Sequence, residues 1–143
     1  MNIKLCEEEI NKIKSDMEIL ILKDFKSLDE KDKNLLKKVG FELKGNDTFF
    51  DISSNKLFVS TLKLKGEDVK LAFSAAIRSI KNYDIKKVKI SLIQNDKELK
   101  LSEIIEGLVL GKYEFTKYKS ENKKTNEIEI LISTANSKSD INK

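Results

Sequence analysis

The chain contains no histidine, no proline and no tryptophan, and only one cysteine, Cys6. Without histidine, a Ser-His-Asp or Cys-His arrangement, a histidine general base and a histidine-ligated metal are all excluded. A lone cysteine can form neither an intrachain disulfide nor a cysteine-based zinc site within the chain, so Cys6 reads as a small apolar strand residue. The missing proline removes the usual punctuation of linkers, and no repeat of roughly 20 to 50 residues is visible. No run of about 18 apolar residues occurs that could span a bilayer. The opening MNIKLCEEEI has acidic residues where a secretory signal carries its apolar stretch, so a cytoplasmic location is expected. Glycine is scarce too: the five glycines fit neither GxxxxGK[ST] nor GxGxxG, which leaves nucleotide binding without a motif.

What is present suits one folded domain. The chain has 143 residues, of which 39% are apolar and 36% charged. That is long enough for a single core and too short for two ordinary ones. The formal charge of +4 and pI near 9.0 raise the question of nucleic acid. Nearly all the positive charge is lysine, however, with Arg78 the one arginine, whereas base readout and bidentate phosphate clamping favour arginine. Lys, Asn and Ile are abundant together, as AT-rich coding produces. The remaining acids and bases are spread over charged segments instead of converging in apolar ones, and Glu7-Glu8-Glu9 reads as a solvated run.

Periodicity supplies the elements. Ile3 and Leu5 alternate with polar neighbours in a short strand, and Glu7 to Lys14 is a loop or a single helical turn. Met17 to Leu22 (MEILIL) reads as a buried central strand. Asp29 to Val39 forms a charged surface helix with Leu35, Leu36 and Val39 on one side and Gly40 just past its end. Thr48 to Ile52 and Leu57 to Leu62 make a hairpin around Ser53-Ser54-Asn55. From Glu67 to Asn82, Val69, Ala72, Phe73, Ala76, Ile77 and Ile80 draw the stripe of a helix packed on a sheet. Lys87 to Ile93 is a strand ended by Gln94-Asn95-Asp96.

A further helix begins with Ser102 as N-cap and Glu103 in the first turn, and turns Ile104, Ile105, Leu108 and Val109 to the core. Gly107 and Gly111 lie on it four residues apart. Each costs about 1 kcal/mol against alanine, so another backbone should approach closely, with fraying at Gly111 as the alternative. Glu127 to Ile132 is the last strand, and the polar tail Ser133 to Lys143 reads as the start of a linker after a domain of residues 1–132. This order argues for an α/β fold with one mixed central sheet and helices on both faces. Tyr113, Phe115 and Tyr118, interleaved with Lys112, Lys117 and Lys119, could stack on single-stranded nucleic acid, although such aromatics more often pack.

The same segment carries a family likeness. Glu106, Gly107, Leu110, Gly111, Tyr113, Phe115, Tyr118 and Lys119 fall at the fixed positions of an E-G-x-x-L-G-x-Y-x-F-x-x-Y-K stretch. It resembles one near the end of the N-terminal domain of leucine (cytosol) aminopeptidases. Upstream, Asp16 before an apolar strand, the lysine-rich strand Leu57 to Leu62 and the small residues Ser74-Ala75-Ala76 within a helix are similar to that domain in order. The resemblance implies a macro-like fold that precedes a larger catalytic domain holding two divalent metal ions, zinc or manganese. The family releases N-terminal residues from peptides and generally forms homohexamers. Its metal ligands and catalytic Lys and Arg surround an Asn-Thr-Asp-Ala-Glu-Gly-Arg motif that does not occur here, so no catalytic, cofactor or metal residue carries over. The expectation is a non-catalytic module for structure and assembly. Two alternatives remain at this point: a DNA-binding accessory role, suggested by the pI, and ADP-ribose binding, which rests on the macro-like fold alone and lacks its glycine-rich loops.

Overall fold

Five of six strands run parallel in a computed structural model that describes residues 2–26, 28–43, 45–80, 83–91, 100–118 and 128–134. The strands are β1 (Asn2–Cys6), β2 (Met17–Leu22), β3 (Thr48–Asp51), β4 (Lys56–Ser60), β5 (Lys87–Ser91) and β6 (Glu129–Ser133). Their order across the sheet is β1-β6-β5-β2-β4-β3, and only β3 is antiparallel to its neighbour. Three α-helices accompany them: α1 (Glu30–Lys38), α2 (Gly66–Ile80) and α3 (Leu101–Tyr118). The sheet is mixed, as expected.

Strand alternation distributes the core to two sides. Ile19 and Ile21 of β2, Leu57 and Val59 of β4, Val88 and Ile90 of β5, and Ile130 and Ile132 of β6 face α2 and α3 in the larger cluster. The opposite residues Leu22 and Phe58 pack with Leu36 of α1, Leu28 and Phe41 in the smaller one. Helices therefore cover both faces. Near-continuous apolar strands such as MEILIL follow from burial on both sides.

The short helix α1 is held by its ends. Asp29 caps it, its side chain accepting from the Asp32 N–H at 2.9 Å. At the other end Gly40 takes φ +78°, which glycine adopts without strain. The Phe41 N–H donates to the Leu36 carbonyl at 2.9 Å and that of Gly40 to Lys37 at 3.2 Å. This is the Schellman pattern, with the apolar pair Leu36 and Phe41 sharing one cluster.

Several expected boundaries shift. Ser102 is not the N-cap of α3. The Lys100 carbonyl already accepts from the Glu103 and Ile104 N–H groups, so the helix starts at Leu101 and Ser102 lies inside its first turn. Val109 and Val39 are 51% and 45% exposed and leave the expected apolar faces, while Leu36 and Leu108 carry the burial. Ile52 and Leu62 fall outside their strands. The Asp51 carboxylate bonds Ser53 and Ser54 to start the hairpin turn, and the Thr61 hydroxyl donates to the Lys63 carbonyl to end β4. β6 runs to Ser133, and the Thr134 N–H continues the ladder to the Cys6 carbonyl at 2.8 Å. The turn at Gln94-Asn95-Asp96 and the tail from residue 135 lie outside the described residues.

Candidate functional site

Three of the residues singled out by the motif, Glu106, Gly107 and Gly111, lie on α3 where it meets α2. A Cβ built on Gly107 would stand 2.6 Å from the Lys70 carbonyl oxygen, and one on Gly111 would stand 2.7 Å from Ile77 Cβ and 2.9 Å from the Ser74 carbonyl oxygen. The close backbone approach that two helical glycines imply is therefore present, and the partner backbone is α2. Glu106 flanks the crossing and binds Lys70 Nζ at 2.9 Å. That hydrogen bond, with the Glu106 charge, holds the half-buried Lys70 ammonium above its usual value. Leu110 is 42% exposed and points away from the core. Tyr113, Phe115 and Tyr118 lie along the later turns of α3, and Lys119 lies outside the described residues. The structure thus joins Glu106, Gly107 and Gly111 at one contact and leaves Leu110 outside it.

A second cluster lies on the α1 face, and the sequence reading did not assemble it. Glu18 of the central strand is level with Lys56 on β4 and with Lys89 on β5. Lys56 Nζ reaches the buried Asp32 of α1 at 3.0 Å. Lys89 Nζ donates to the Ile10 and Ile13 carbonyls at 3.0 and 2.9 Å, gripping the single 3-10 turn Ile10–Lys12 of the β1–β2 connection. Burial pushes the Glu18 carboxyl above its usual value, although Lys89 and Lys56 pull the other way. The visible signal was a carboxylate inside MEILIL, which a buried strand admits only with partners.

The sign of that shift yields a prediction. A carboxyl whose folded value is raised binds protons more readily folded than unfolded, so its ionisation subtracts from stability as pH rises through that value. Glu18→Gln should be more stable than the parent chain at about pH 7, with the advantage fading toward about pH 4 where both side chains are neutral. Urea midpoints across that range check it; a Gln variant less stable at neutral pH would contradict the direction.

Neither cluster gathers the donors of a metal centre. Among the described residues no three carboxylates or thiols are placed to hold a cation. A surface cleft of about 390 Å³ opens where α2 and α3 begin, lined by Lys63, Lys65 and Lys100 against Glu67, Asp68 and Glu103. Its charges balance, so it selects for neither sign. No helix among the described residues is long and apolar enough to cross a membrane.

Fold and helix crossing together define a macro-like α/β domain. Residues 60–122 match the family model for the cytosol aminopeptidase family, N-terminal domain. A probable cytosol aminopeptidase of Campylobacter jejuni is 32% identical over 135 residues, covering 92% of this chain and 27% of that protein. Another from Wolinella succinogenes is 27% identical over 93% of the chain and 28% of its own length. Among solved structures, a mutant tomato leucine aminopeptidase superposes with TM-score 0.66 over 99% of this chain and 34% of its own, at 16% identity. A macrodomain from Thermus aquaticus superposes with TM-score 0.54 over 92% of this chain and 97% of its own, at 4% identity, a likeness of fold alone. The chain matches the N-terminal domain of the cytosol aminopeptidase family over residues 60–122 and is similar to these aminopeptidases along most of its length. It spans about a quarter of the length of the curated relatives it matches.

Proposed function

We propose that this domain is the non-catalytic module of a cytoplasmic, metal-dependent aminopeptidase that releases N-terminal residues from peptides. It serves the structure and assembly of a hexameric parent. Catalysis, with two zinc or manganese ions, belongs to a separate domain of that parent. The observation that carries this reading is the match of more than nine-tenths of the chain to about a quarter of each aminopeptidase. The composition agrees: no histidine is available as base or ligand. The expected result is that the purified chain, given leucine p-nitroanilide and manganese, releases no p-nitroaniline above buffer. Sustained turnover would move catalysis into this domain.

One observation favours a second reading, an accessory role on DNA: Lys31, Lys37 and Lys38 of α1 are all exposed, on a chain of net charge +4. Duplex binding that weakens steeply between two salt concentrations supports it, and no binding at low salt removes it.

A further inference from the structure

We draw no further inference here: the strongest candidate, the cleft of about 390 Å³ where α2 and α3 begin, sets three exposed lysines against three carboxylates whose charges balance, and nothing in the structure shows what would occupy it.

Discussion

Replacing Gly107 and Gly111 together by alanine should destabilise the domain by about 2–4 kcal/mol, the reverse of what helix propensity alone dictates. On an isolated helix the two changes would contribute about 1 kcal/mol each in favour of folding. Here each new methyl meets atoms that cannot swing aside: the Lys70 carbonyl oxygen at 2.6 Å for residue 107, and Ile77 Cβ and the Ser74 carbonyl oxygen at 2.7 and 2.9 Å for residue 111. Relief requires α3 to lift off α2, and with it Ile104 and Leu108 from the core. Overpacking of this kind costs about 1–3 kcal/mol per site, and contacts against backbone fall at the upper end. Urea denaturation at unchanged m-value reads the result. A raised midpoint would mean that the helices are not in close contact.

The second large effect is expected at Lys56. Its ammonium is the partner of Asp32, which is 5% exposed, and it also stands beside Glu18. Lys56→Met leaves two carboxylates on the α1 face without it. Breaking a buried pair costs about 3–5 kcal/mol, which we reduce to about 2–3 because the Lys56 side chain is 30% exposed and water screens the orphaned charge. Adding Asp32→Asn to Lys56→Met should recover most of the loss, since neither variant side chain then buries a bare charge. The pair also has a pH signature. Burial alone would lower the Lys56 ammonium, but the Asp32 hydrogen bond and charge, with Glu18 and Asp29 behind them, hold it above its ordinary 10.5. Its contribution is therefore present below 10.5 and disappears as pH rises through the folded value, so the gap between parent and Lys56→Met should narrow in strong alkali. An equal gap at all pH values would assign the loss to packing.

Local periodicity carried much of the fold. The stripe from Val69 to Ile80 and the buried run MEILIL place α2 and β2 without tertiary information, because burial on a sheet dictates both patterns. Glycine spacing foretold a close crossing on α3, but the residues it meets on α2 lie 37 positions earlier in the chain (107 − 70 and 111 − 74) and could not be named. Element ends were less legible. Whether Ser102 or Lys100 opens α3 depends on which carbonyl takes the first bonds, a matter of tertiary path rather than residue preference. The motif residues were visible together, yet only Glu106, Gly107 and Gly111 meet at one contact. The Asp32, Lys56, Glu18 and Lys89 cluster was hidden because its members come from four elements and join only through strand register.

The pairing of β1 with β6 has a consequence for how the domain is made. Asn2 finds its ladder partner at Glu129, so β1 waits until β6 has been made. Contacts so distant along the chain close slowly, and a newly synthesised segment must stay unpaired until then. β2, the β3–β4 hairpin and α2 can consolidate during translation, whereas the β1 flank is zipped up only after synthesis has passed Ser133. Cellular quality control would therefore meet this protein with its amino-terminal segment still loose.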